Sequence, residues 1–162
     1  MDKYEEIEEA IAAKYKQETT TRKAIGDFML ADDHAVNIKS NNVEKQNYSP
    51  NMISIKKMHQ WVFEEGKKLS FIFVDYREGA GGVEIIKETA PIPIEHISWD
   101  CLTIEAQGYG VIQMPKDRIE NKNQSRREFY EGFLKEYDRF MEKERSKHEK
   151  FKKKFKDPGE IK

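Results

Sequence analysis

The chain has 162 residues, of which 36% are charged and 11% aromatic, and its formal net charge is −1. This length fits one domain with a substantial core, and the balanced charge excludes a uniformly polycationic protein. The single cysteine, Cys101, excludes a disulfide framework and a cysteine zinc site. Because the sequence has no long apolar run and no signal-peptide pattern, we expect a soluble, cytoplasmic protein with no membrane partner.

The first predicted element is a helix from about residue 3 to residue 16. Asp2 can cap this helix, and Glu5 stands at the third helical position, as in a capping box. One apolar stripe is predicted along the helix, formed by Tyr4, Ile7, Ile11 and Tyr15. Glu8 lies about 40° from the centre of that stripe. It is therefore the acid of this helix that we expect to meet the rest of the domain.

A hairpin is predicted next, with strands over residues 25–30 and 34–40. Because side chains alternate along a strand, Asn37 and Lys39 should share one face, and the hairpin would bring the carboxylate of Asp27 close to them. A carboxylate can hold Mg²⁺ and an ammonium can stabilise charge on a phosphate, which metal-dependent phosphodiester cleavage requires. The alternative is an ordinary solvated hairpin face, on which the same residue types are common.

The remaining elements alternate between helix and strand. A second helix is predicted with Ser49 as N-cap, Pro50 at its first helical position and an end at Gly66. A last helix is predicted to open at Ser125. Between these helices, strands are predicted over residues 69–76, 82–87, 97–105 and 109–114.

The predicted order αββαββββα indicates an α/β (α+β) fold with flanking helices, as one domain over residues 1–156 and a flexible tail over 157–162. From Arg139 to Lys156 the chain carries nine Lys or Arg against three Glu. This end suggests an anionic partner or a solvated helix, and for the run from Lys147 to Lys156 two interpretations remain open: a solvated helix, or a clamp on the DNA backbone.

A polar stretch follows Lys39 and is a candidate DNA-binding segment. Asparagine and glutamine amides suit base edges and phosphate oxygens, and a helix N-terminus at Pro50 would attract anions. Its candidate DNA-binding residues are Ser40, Asn41, Asn42, Lys45, Gln46, Asn47, Tyr48, Ser49 and Asn51. The alternative is a solvated loop of turn-forming residues.

Asp27, the run Asn37-Ile38-Lys39-Ser40 and the run Pro50-Asn51-Met52-Ile53-Ser54 resemble the PD-(D/E)xK nucleases. More closely, they resemble type II restriction endonucleases of the HincII/EcoRV-like group. The HincII-type enzymes carry an Asp, then Asp-Val-Lys-Thr, then a polar loop that ends in Pro-Asn-Ile-Ile-Ser. The resemblance spans residues 23–141 and is specific only within residues 27–54.

The resemblance implies a restriction-endonuclease-like fold with a mixed central sheet, and Mg²⁺-dependent cleavage of double-stranded DNA at a specific, palindromic site. Cutting both strands of such a site calls for a homodimer. Asp27 would bind Mg²⁺, Ile38 would lend its backbone carbonyl to the ion, and Lys39 would act near the scissile phosphate. Tyr48 would intrude into the base stack, and Asn51 would contact a base.

Asn37 departs from the family pattern, which has an acid at this position. An amide oxygen can ligate a hard cation but brings no charge. Three explanations remain open: Glu8 supplies the second acid, the site is impaired, or Asn37 was engineered to trap an inactive enzyme. An impaired site would make the chain a DNA-binding protein on the same fold. A third function class is a protein-interaction module that uses the charged last helix.

Overall fold

The structure, a computed structural model, describes residues 2–20, 25–45, 50–115 and 119–162. Within these ranges the helices are α1 (Lys3–Lys14), α2 (Ile55–Met58) and α3 (Arg126–Lys152). The strands are β1 (Phe28–Ala31), β2 (His34–Asn42), β3 (Asn51–Ser54), β4 (Lys68–Gly79), β5 (Gly82–Glu88), β6 (Ile92–Pro93), β7 (Thr103–Glu105) and β8 (Val111–Gln113). A π-helical segment, His59–Glu64, continues α2, and 3₁₀ turns span Ile94–His96, Trp99–Cys101 and Pro158–Glu160.

The strands form two sheets. The larger sheet has the order β1-β2-β4-β5, with β6 also pairing with β4. In this sheet β2 and β4 run parallel and the other pairs are antiparallel, so the sheet is mixed. The smaller sheet is antiparallel, with the order β3-β8-β7. The chain therefore belongs to the predicted α+β class, but the second sheet was not predicted.

Helix α1 packs on one face of the larger sheet. Its residues Ile7 and Ile11 are buried in one cluster with Val36 and Ile38 of β2. The other face of the sheet carries Phe71 and Phe73 of β4 into a second cluster, which also receives residues of α2, α3 and the smaller sheet. The alternation predicted for β2 is confirmed, since Val36 and Ile38 occupy the α1 face.

Asp2 as the N-cap of α1 and the capping box of α3 are confirmed. The side chain of Asp2 accepts a hydrogen bond from the backbone N–H of Glu5, and Ser125 forms a complete capping box with Glu128. The stripe of α1 is narrower than predicted, because Tyr4 is 50% exposed. In the part of the chain that the structure describes, no helix has the length and apolarity to cross a bilayer.

The predicted start of the second helix at Pro50 is wrong. Asn51–Ser54 forms β3, which pairs with β8, and α2 begins after it, with the Ser54 side chain accepting from the N–H of Lys57. Met52 and Ile53 are both buried, because the strand lies between the core and β8. The prediction of Ser49 as N-cap lies outside the described residues, although the expected end at Gly66 agrees with its positive φ of 68°.

The predicted strand over residues 97–105 is also wrong over most of its length. The chain there makes the 3₁₀ turn Trp99–Cys101, which Ser98 caps through its hydroxyl, and only Thr103–Glu105 is extended as β7. The Ser98 hydroxyl accepts from the N–H of Asp100, a local bond that competes with strand pairing.

Gly26 lies where the chain crosses closest to β2, immediately before Asp27. A Cβ at this position would lie 2.9 Å from both the backbone N and the backbone O of Val36. Since backbone atoms of a central strand cannot yield cheaply, we expect Gly26→Ala to lower the free energy of unfolding by about 1–3 kcal/mol. Urea denaturation measures this change.

Gly81 is the matched control, because a Cβ there would meet no atom within 4 Å. We expect Gly81→Ala to change the free energy of unfolding by less than about 1 kcal/mol. Equal effects of the two substitutions would contradict the close approach at Gly26.

Candidate active site

Asp27 is held at the start of β1 by two hydrogen bonds to β2. Its carboxylate Oδ2 accepts from the backbone N–H of Ile38 at 2.6 Å, and its own N–H donates to the carbonyl of Val36 at 2.8 Å. The preceding segment is tied in as well, since the backbone N–H of Thr20 donates to the Asp27 carbonyl at 2.8 Å. These bonds place the carboxylate beside the strand that carries Asn37 and Lys39.

Three of the predicted site residues line one cavity of about 700 Å³: Glu8, Asp27 and Asn37. They come from α1, from the lead-in to β1 and from β2. The amide nitrogen of Asn37 donates to the carbonyl of Ile25 at 3.2 Å, which leaves its amide oxygen as an acceptor. The helical angle of Glu8 therefore predicted correctly that this acid meets the rest of the domain.

Lys39 joins the same group electrostatically, although it lines a neighbouring cavity of about 390 Å³. Its half-buried ammonium interacts with the charges of both Asp27 and Glu8. Burial lowers the pKa of Lys39, and the two carboxylates raise it. The ammonium therefore lies within electrostatic reach of both acids, although it lines a different cavity.

The two carboxylates disfavour each other's charge. Burial and the negative charge of Asp27 raise the pKa of Glu8 to about 7, and Lys39 opposes this shift. Burial also raises the pKa of Asp27, while the N–H of Ile38 and the ammonium of Lys39 lower it. Glu8 therefore titrates near neutral pH. The negative charge of Asp27 is stabilised directly by the N–H of Ile38 and the ammonium of Lys39.

A divalent cation would find few anionic ligands here. Across the described ranges, no group of three or more His, Cys, Asp or Glu has metal-binding spacing. The oxygen donors that line the larger cavity together are the carboxylates of Glu8 and Asp27 and the amide of Asn37. Hard oxygen donors of this kind suit Mg²⁺, which usually keeps several water ligands and needs only one or two carboxylates.

The polar stretch after Lys39 was predicted to be a loop from Asn41, which is wrong for Asn41 and Asn42, whereas Ser40 lies in the strand as predicted. Ser40, Asn41 and Asn42 belong to β2 and pair with β4. The amide nitrogen of Asn41 donates to Asp75 at 3.1 Å, so it is already engaged, whereas Lys45 is exposed. The candidates Gln46, Asn47, Tyr48 and Ser49 lie outside the described residues.

Asn51 is exposed on β3, and its amide oxygen accepts from Gln113 at 2.6 Å. Because β3 precedes α2, the expected helix N-terminus at Pro50 is absent from its predicted place. Sequence reasoning also missed Lys57 of α2, which lines the larger cavity beside Ser54. The signal for it was Ser54 itself, an N-cap residue three positions before Lys57.

Comparison of the sequence with models of known protein families gives no match, and comparison with curated proteins gives none. The resemblance to restriction endonucleases therefore stays a prediction. The placement of Glu8, Asp27, Asn37 and Lys39 is compatible with that prediction.

We expect Glu8→Gln to stabilise the metal-free protein above about pH 7 and to have little effect near pH 4. The raised pKa of Glu8 means that the unfolded chain loses this proton first as the pH rises. The folded state is therefore penalised progressively between the unfolded and folded pKa values, and the penalty is full above the folded pKa. Urea denaturation without added metal, at both pH values, measures the difference.

Glu6 is the matched control, because it is exposed on the same helix and does not line the cavity. We expect the effect of Glu6→Gln on stability to differ less between the two pH values than that of Glu8→Gln. A change in Glu8→Gln that is equal at low and high pH would contradict the electrostatic placement of Glu8.

Proposed function

We propose that this protein is a Mg²⁺-dependent type II restriction endonuclease that cleaves double-stranded DNA at a specific, palindromic site. The observation that supports the proposal best is the meeting of Glu8, Asp27 and Lys39, which are electrostatically coupled although three separate elements carry them. Two acids with an ammonium within electrostatic reach are the groups that phosphodiester hydrolysis uses.

The carboxylates of Glu8 and Asp27, the amide oxygen of Asn37 and the carbonyl of Ile38 would hold Mg²⁺. When bound, the ion would supply Lewis-acid stabilisation of the charge that develops on the phosphate oxygens. Glu8 compensates for Asn37 in this arrangement, because it brings the second negative charge that the family places at that strand position.

Lys39 would stabilise the same phosphate through its ammonium. Its half-buried position strengthens this effect, because electrostatic interactions weaken less where water is excluded. A bound cation would favour the ionised form of Glu8, so this acid would serve as a ligand and the attacking water would lose its proton to solvent. The water oxygen bonds to phosphorus, the bond to the 3′-oxygen breaks, and 5′-phosphate and 3′-hydroxyl ends result.

A second candidate is a non-catalytic DNA-binding protein on the same fold. The hydrogen bond from the Asn37 amide to the carbonyl of Ile25 favours it, because an ionised acid could not make this contact. In that case Asn37 serves to fix the segment before Asp27. Magnesium would then have weak affinity and no catalytic consequence.

We expect Lys39→Met and Asp27→Asn each to lower Mg²⁺-dependent DNA cleavage by about 100-fold or more. Lys39→Met removes the ammonium that stabilises the phosphate, and Asp27→Asn removes a carboxylate that would hold the ion. The measurement is the rate of conversion of supercoiled plasmid to nicked and linear forms. Lys56→Met is the control, since this lysine is exposed on α2. Normal cleavage by Lys39→Met would overturn the mechanistic assignment.

Asn37→Asp separates the two candidates in the same assay. If Glu8 compensates, Asn37→Asp and the parent chain cleave at similar rates and Glu8→Gln abolishes cleavage. If the parent is impaired, Asn37→Asp gains cleavage. No cleavage by either chain, together with a gel shift on duplex DNA, would reject the nuclease and support the DNA-binding protein.

The proposed reaction also requires two active sites related by a two-fold axis, because both strands of a palindrome are cut. We therefore expect a homodimer. Light scattering on the chain alone and on its complex with duplex DNA measures the mass. A monomer in both samples would contradict this part of the proposal.

A further inference from the structure

The end of α3 leaves the body of the domain. The buried side chains of this helix are Phe129 and Phe133, both near its start. From residue 147 to residue 156, here called the C-terminal arm, every residue is exposed. Its backbone is nevertheless ordered past the helix end, since the N–H of Lys154 donates to the carbonyl of Phe151 at 3.0 Å. The arm is thus an exposed surface, and none of the described residues buries any residue of it.

The charge pattern of the helix changes after Glu149. Several earlier cations pair with glutamates of the same helix: Arg139 with Glu136 at 2.8 Å, Arg145 with Glu142 and Glu149, and Lys147 with Glu144 at 3.5 Å. From residue 150 onward, none of the described acids lies within ion-pair distance of a lysine of the arm. These unpaired lysines are Lys150, Lys152, Lys153, Lys154 and Lys156.

The helix end cannot account for this many cations. The macrodipole at a helix C-terminus is equivalent to roughly half a negative charge, which favours one or two nearby lysines. Five unpaired lysines within seven residues repel one another instead. Such a density of free positive charge on an exposed surface is complementary to a polyanion.

Two exposed phenylalanine rings lie among these lysines. Phe151 is 60% and Phe155 is 64% exposed, and the rings pack edge to face with centroids 5.4 Å apart. A helix that lies on a lipid surface needs a wide apolar face, which two rings surrounded by lysines do not provide. The two rings also pack against each other, so they do not present two parallel faces between which an unpaired base could stack.

We propose that the C-terminal arm is a sequence-independent docking surface for the phosphate backbone of duplex DNA. The inference rests on the proposed function in one respect, since it takes DNA as the substrate. It adds a second contact, made by residues that line neither the cavity of Glu8 and Asp27 nor that of Lys39. The arm supplies salt-sensitive affinity for any duplex, and sequence reading is left to other residues.

The test compares binding of the full chain to random-sequence duplex DNA by fluorescence anisotropy, without divalent metal and over a series of salt concentrations. The variant is the triple substitution Lys152→Gln, Lys153→Gln and Lys154→Gln. We expect the slope of log affinity against log salt to become shallower by about 2 to 3, because each lost phosphate contact contributes about 0.9. Circular dichroism verifies that the variant is folded.

The matched control removes three cations that have glutamate partners on the same helix: Arg127→Gln, Arg139→Gln and Arg145→Gln. Its salt slope should stay close to that of the parent chain. An unchanged slope in the lysine variant, or an equal change in the control, overturns the proposal.

Two further ligands test the competing occupants. Tighter binding to phosphatidylserine vesicles than to duplex at equal phosphate concentration would make the arm a lipid-binding surface and overturn the proposal. Tighter binding to oligo-dT, lost in Phe151→Ser with Phe155→Ser, would make it a single-strand surface and also overturn it. Binding to duplex that surpasses both supports it.

The proposed nuclease and the arm can fail separately. Asp27→Asn should keep the salt slope of the parent chain, because the arm is intact. If the parent chain binds duplex through the arm but never cleaves DNA, only the nuclease proposal fails. If it cleaves DNA while the lysine variant keeps the parent slope, only the arm proposal fails.

Discussion

The hydrogen bond from the N–H of Ile38 to the carboxylate of Asp27 is the contact on which the rest of the site depends. At 2.6 Å it fixes the acid against the central strand β2. Burial alone disfavours an ionised carboxylate, and this bond offsets part of that cost. Because β2 is paired on both sides, by β1 and by β4, its N–H groups are rigid donors. Asp27 is therefore held where Lys39 can act on it.

The site combines charges that would separate in water. Glu8 and Asp27 raise each other's cost of ionisation, and the ammonium of Lys39 is itself partly desolvated. The apolar cluster beside the site offsets this cost. In it, Ile7 and Ile11 of α1 pack on the β2 face that carries Val36 and Ile38. Perturbed titration at a cavity is typical of functional sites, and it is compatible with the proposed role in phosphodiester hydrolysis.

The features that were predicted correctly depend on interactions between residues close together in the sequence. The caps of α1 and α3, the β1–β2 hairpin and the alternation along β2 follow from neighbouring residues, so their sequence patterns predicted them correctly. The helical angle of Glu8 predicted that this acid would face the rest of the domain. The predicted start of the second helix was wrong because Ser49-Pro50 has residue types that are typical of a helix start. The chain instead forms β3, whose partner β8 begins about 60 residues later in the sequence.

By itself, the sequence determined which side chains share a face, where the main helices begin and which residue types could perform phosphate chemistry. Those features depend on helical and strand periods and on short-range hydrogen bonds. Only the tertiary structure decided that Glu8 meets Asp27, that Asn41 is engaged by Asp75 and that a second sheet closes the core. Contacts between residues far apart in the chain depend on which apolar surfaces are buried together, and no local pattern encodes that choice.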